Sequence, residues 1–159
     1  MKSAWKPGLL LGILVGLWIL IMGLTGWYKD PALVSVFYVV ILIEIGVLIW
    51  ALKKTALENT YWKQVGRGTL IAVLGSVIIF FLSILSTTVL FPNYFSDLQT
   101  MQEQMLRQQG RSETEIKAAI DVARVTGTPL VSAIMGVIGT VATGFVASLV
   151  VGAFFRKKQ

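Results

Sequence analysis

The sequence predicts an all-α, polytopic membrane protein with four transmembrane helices and a short extracytoplasmic helical hairpin between the third and the fourth. Three observations carry this. The chain of 159 residues is 55% hydrophobic and only 14% charged, far from the balance of a soluble domain. Its apolar residues fall into four runs, each near the roughly 20 residues that a helix needs to cross a hydrocarbon core about 30 Å thick. The runs are apolar on every face, whereas strands of a closed barrel, the other backbone that lipid tolerates, would alternate over about ten residues. Residues 1–159 therefore read as a single membrane domain.

The first run, residues 8–28, carries no charge. It is longer than the core of a secretory signal, and Thr25-Gly26-Trp27-Tyr28-Lys29 puts bulky residues where a small-x-small cleavage site would stand, so it is expected to remain as a span. The second, 31–52, holds one charge, Glu44. The third covers about 68–91 and the fourth about 130–155. Between them, about 96–126, Ser96 with Gln99 and Ser112 with Glu115 have the spacing of capping boxes, and Gly110 separates the two patterns. Leu98, Met101 and Met105 form one apolar stripe, and Ile116, Ala119, Ile120 and Ala123 another. Two short helices folded back on each other are expected there.

Orientation follows from the basic residues. Lys2, Lys6, Lys53, Lys54, Lys63, Arg67, Arg156, Lys157 and Lys158 gather on one side of the predicted membrane. Lys29, Arg107, Arg111, Lys117 and Arg124 lie on the other, outnumbered by Asp30, Asp97, Glu103, Glu113, Glu115 and Asp121. Both termini and the middle loop are thus predicted to be cytoplasmic. Trp5, Trp50, Tyr61 and Trp62 on the inner side, and Trp27, Tyr28, Tyr94 and Phe95 on the outer, have the placement of interfacial belts. The formal charge of +6 makes no basic and aromatic groove for nucleic acid. Instead Lys53, Lys54, Lys63 and Arg67 are expected to meet lipid headgroups or to set topology.

Small residues recur every four positions in the fourth run, at Ser132, Gly136, Thr140, Gly144, Ser148 and Gly152, and in the first at Gly8, Gly12 and Gly16. Such stripes let backbones approach closely, which holds helices together where lipid removes the hydrophobic drive. They are expected to pack inside the bundle or between copies. Glu44 is the one ionisable residue deep in a span, and matching depths brings Gly16, Ser76 and Ser148 to its level. A carboxylate there costs several kcal/mol unless neutral or hydrogen-bonded, so Ser76 and Ser148 are its expected partners. The competing reading makes Glu44 a proton or cation site.

Enzymatic readings find little support. Without cysteine or histidine there is no thiol nucleophile, no imidazole base and no soft metal site, and neither cofactor nor metal is expected. An intramembrane aspartyl site would need two acids, and the runs contain one.

The whole chain resembles a bacterial family of small four-span membrane proteins, domain of unknown function 4199. The likeness lies in the order of elements, the glycine-rich first span, Tyr61-Trp62-Lys63-Gln64-Val65-Gly66 before the third, and Pro92-Asn93-Tyr94 leading through Gln108-Gln109-Gly110-Arg111-Ser112-Glu113 to Glu115-Ile116. It implies a bacterial inner-membrane setting and adds no mechanism. The sequence thus points to a non-enzymatic structural or accessory component in a homo-oligomer or larger membrane complex, and alternatively to a small ion- or proton-coupled carrier using Glu44.

Overall fold

A computed structural model describes residues 4–157 of the chain; Lys2 and Lys158 lie outside the described residues. Six α-helices follow one another: α1 (Trp5–Thr25), α2 (Val39–Lys53), α3 (Tyr61–Leu85), α4 (Tyr94–Gln108), α5 (Glu113–Thr126) and α6 (Pro129–Phe154). Among the described residues no strand occurs. Four segments are long and apolar enough to cross a membrane: α1, α2 with the 3₁₀ turn Val34–Tyr38 ahead of it, α3 with the π turn Ser86–Leu90 behind it, and α6. Their outward faces carry Leu17, Leu42, Phe81, Ile138 and Phe154, all exposed. Such a belt would be an aggregation hazard in water and is the normal surface of a helix in lipid.

The helix ends explain the bounds. Gly26 stops α1 in the left-handed region, at φ 70°, which costs a residue without a Cβ nothing. Pro129 opens α6 behind the Thr128 side chain, which accepts from the Val131 N–H. α3 begins at Tyr61 rather than near residue 68, because the extended Thr60 turns the chain and neither Gly66 nor Gly68 interrupts the helix. The polar entry 61–67 is therefore helix and not loop. Of the two expected capping boxes, the one at Ser112 and Glu115 forms in full at the start of α5. The one at Ser96 does not. Ser96 already lies inside α4, which starts after Asn93, and its hydroxyl donates to the Asn93 carbonyl.

α3 packs on both α1 and α6, and α2 closes the ring by touching α1 and α6, so α1 and α6 stand at opposite corners. The end holding Trp5, the α2–α3 connection and Phe154 is called here the terminal end, and the opposite one the hairpin end. Near the terminal end Leu11, Leu48, Leu52 and Ile71 are fully enclosed. At the hairpin end α4 and α5 pack side by side, Ile116 buried and Met101, Met105 and Ile120 half-buried between them, with Arg107 bridging Glu103 and Glu113. This pair is tied to α1 through Tyr28, which is enclosed rather than standing in an interfacial belt. Its hydroxyl donates to Asp97 at 2.9 Å, its ring packs on Tyr94, and Lys29 reaches the same Asp97 oxygen at 2.8 Å.

Candidate functional site

The glycines of α1 lie where α3 comes close. A Cβ on Gly8 would lie 2.6 Å from the Leu74 Cβ and one on Gly12 2.6 Å from the Ile78 Cβ, while one on Gly16 would overlap Leu82. All three neighbours belong to α3, and α3 answers with Gly75, where a Cβ would press on Leu11 at 2.8 Å. Two backbones this close make many dispersion contacts, the main attraction left between helices in lipid.

The stripe on α6 behaves differently along its length. In its second half Gly144 abuts Ala72, Ser148 sits in the hollow over Gly68, and Gly152 faces Gln64 and Val65, so this half is interlocked with α3. In the first half a Cβ on Gly136 or on Gly139 would meet nothing within 4 Å. There the stripe stands back from its neighbours, and Ser132, Gly136 and Thr140 line an open cavity of about 400 Å³.

All four spans contribute to this cavity. Its rear wall comes from enclosed or half-buried residues of α1 and α3, including Val15, Ile19, Ile79 and Ser83, and from Ser86 and Thr87 of the π turn. Its mouth lies between the start of α2 and the first half of α6, where the lining residues Phe37, Tyr38, Met135, Gly136 and Gly139 are themselves exposed. Glu44 lies at its deep end. The residue is 4% exposed, and its Oε1 lies 2.7 Å from where a Gly144 Cβ would be, so the missing side chain makes room for the carboxylate.

The hydrogen bonds expected for Glu44 do not form. Ser76 donates to the Val73 carbonyl at 2.9 Å, and Ser148 donates to the Gly144 carbonyl. Serines in apolar helices have a carbonyl of their own helix permanently within reach, and here both take it. Both are buried, as depth matching requires, but their hydroxyl protons point along their own helices. Glu44 Oε1 is left without a hydrogen-bond partner among the described residues. Such an atom normally costs a few kcal/mol and calls for a reason. The Ser86 hydroxyl, 1% exposed on the rear wall, is in the same position, whereas its neighbours Thr87 and Thr88 both bond back to their own helix.

The four basic residues Lys53, Lys54, Lys63 and Arg67 lie together at the terminal end. Lys53 and Lys63 are exposed, Lys54 lies over the Trp50 ring with Nζ 3.7 Å from its centre, and Arg67 is half-buried in the second turn of α3. No group of three His, Cys, Asp or Glu residues that could hold a metal occurs among the described residues.

Sequence reasoning missed Gln64. Fully enclosed, it donates through Nε2 to the Leu52 carbonyl at 2.9 Å and to the Phe155 carbonyl, while its Oε1 accepts from Thr55 at 3.0 Å and from Asn59 at 3.3 Å. The Lys157 N–H adds a bond to the Asn59 carbonyl. One amide thus satisfies last-turn carbonyls of α2 and α6 and fixes the connection between α2 and α3. A glutamine one turn into an apolar helix was the available signal.

Over residues 6–157 the sequence matches the family described as protein of unknown function (DUF4199), and the chain belongs to that family. No curated protein and no solved structure matches it.

Proposed function

We propose that this chain is a non-enzymatic, multi-pass protein of a bacterial inner membrane, with both termini cytoplasmic, that works by reversible binding of a proton or small cation at Glu44. One observation carries the reading: Glu44, a buried carboxyl residue with an oxygen that has no hydrogen-bond partner, lines a cavity. A carboxylate kept only to brace the bundle would be bonded to it. Ionisable groups inside membranes are costly to hold, and those that persist commonly face a cavity that serves a ligand path. The cavity opens in the hairpin half, while Leu48, Leu52, Ile71 and the Gln64 network close the terminal half. The basic terminal end fits contact with anionic headgroups of the inner leaflet.

The test is proton- or cation-linked flux in reconstituted vesicles, comparing the wild type with Glu44→Gln, which keeps shape but cannot exchange a proton. Flux lost in a Gln variant that still folds is the expected result. No wild-type flux under any ion gradient would overturn the proposal.

A second reading rests on a separate observation. The open space over Gly136 and Gly139 would admit a helix of another chain, as an accessory subunit of a homo-oligomer or larger membrane complex requires. Cross-linking between copies from cysteines at these positions would favour it over the first.

A further inference from the structure

The geometry points to a hydrophobic primary ammonium ion as the ligand of the cavity, its nitrogen on Glu44 and its alkyl chain along the groove between α2 and α6. This rests on the reading of Glu44 as a binding group and names what it binds.

Shape, polarity and access each narrow the class. On α6 the lining runs from Ser132 to Thr143, three turns or roughly 16 Å of helix, so the cavity of about 400 Å³ extends far enough along the bundle to take an alkyl chain lengthwise. The walls are largely apolar, built from Val15, Ile19, Val40, Ile41 and Ile79, which suits such a chain. Among the described residues no Lys or Arg lines the space, so none there supplies a cation to the carboxyl at its deep end. Where the carboxyl is ionised, an anionic guest is repelled and a neutral alcohol brings no counter-charge. An ammonium group supplies both the charge and the N–H donors that Oε1 lacks.

The mouth agrees. Phe37, Tyr38, Phe91 and Tyr94 line the cavity at its hairpin end, and aromatic faces attract cations on entry. Because Tyr38, Met135, Gly136 and Gly139 are exposed on the flank of the bundle as well as lining the space, a guest dissolved in the bilayer can enter sideways without first crossing water.

Binding of n-decylammonium, n-decanol and n-decanoate to the full chain in lipid nanodiscs tests this, read by quenching of the native tryptophans and by displacement of radiolabelled decylammonium. Decylammonium should bind at least tenfold more tightly than either control, and Glu44→Gln should remove that preference. Gly139→Leu puts a branched side chain in the mouth, where the backbone has room for it, and should block all three guests while leaving the thermal midpoint in place. It therefore serves as the check if Glu44→Gln misfolds. Equal binding of the three guests, or decylammonium binding untouched by both variants, overturns the inference. Glu44-dependent flux of protons without selective amine binding would defeat the inference and leave the reading of Glu44 standing, whereas amine binding without flux would do the reverse.

Discussion

The split in the α6 stripe makes a quantitative contrast between Gly144→Ala and Gly139→Ala, the same substitution one turn and a half apart on one helix. At Gly144 the new methyl would overlap the Ala72 Cβ and stand 2.7 Å from Glu44 Oε1. Ordinary contacts fall at about 3.5–4.0 Å, so α6 must retreat from α3 by roughly 1 Å where the two are interlocked. Overpacking of this kind costs about 1–3 kcal/mol. The better helix propensity of alanine returns up to about 1 kcal/mol, which leaves a net loss of roughly 1–2 kcal/mol. At Gly139 the propensity gain is unopposed, since nothing lies within 4 Å of the added atom. With about 2–4 °C per kcal/mol for a chain of this size, the two variants should differ by about 5 °C or more in thermal midpoint. Unfolding in a mild detergent, followed by the fluorescence of the five native tryptophans, reads this directly. Equal midpoints, or a lower one for Gly139→Ala, would refute the assignment of one half of the stripe to packing and the other to open space.

Three further outcomes are expected. In this cysteine-free chain an impermeant thiol reagent applied to intact cells should label Gln109→Cys and spare Lys54→Cys, and the opposite pattern would reverse the proposed orientation. Gln64→Leu strands the Phe155 carbonyl and the Asn59 amide, while Thr55 and the Leu52 carbonyl keep their own bond at 3.3 Å, so it should cost about 2–3 kcal/mol and expose the end of α6 to protease; full stability in that variant would show the network to be replaceable by water. The Lys29 ammonium, helped by the Tyr28 hydroxyl, holds the Asp97 carboxyl below its usual range, so this clasp is fully present above about pH 3.9 and is lost as the pH falls through the lower folded value. Amide exchange, corrected for its intrinsic pH dependence, should quicken at 27–30 and 94–98 on such acidification and already at neutral pH in Asp97→Ala, and unchanged protection in both would remove the clasp from the account of how α4 is held.

What the sequence disclosed follows from the range over which each signal acts. The four spans are written in hydropathy, a property of consecutive residues, and the Ser112 box in four adjacent positions, so both are legible locally. The start of α3 was not, because Trp62 and Lys63 look outward while Gln64 and Val65 look inward, and a mixed turn of that kind reads as loop in a composition window. Depth counting placed Ser76 and Ser148 at the level of Glu44 but could not say where their protons point. The period of four in α6 revealed a face and not how far α3 runs beside it. Gln64 collects partners from separate segments that meet only in the folded bundle, and no spacing rule contains that.

The uneven fit of α6 bears on how such a chain can change over generations. Where Gly144, Ser148 and Gly152 mesh with α3, almost any enlargement is felt at once by the neighbouring backbone, so replacements there should be purged. Between Ser132 and Thr140 a change in side-chain size alters only the volume and outline of the empty space. The helix therefore joins an anchor intolerant of enlargement to a region with room to vary, and selection could retune what the cavity admits by single substitutions without renegotiating the architecture that surrounds it.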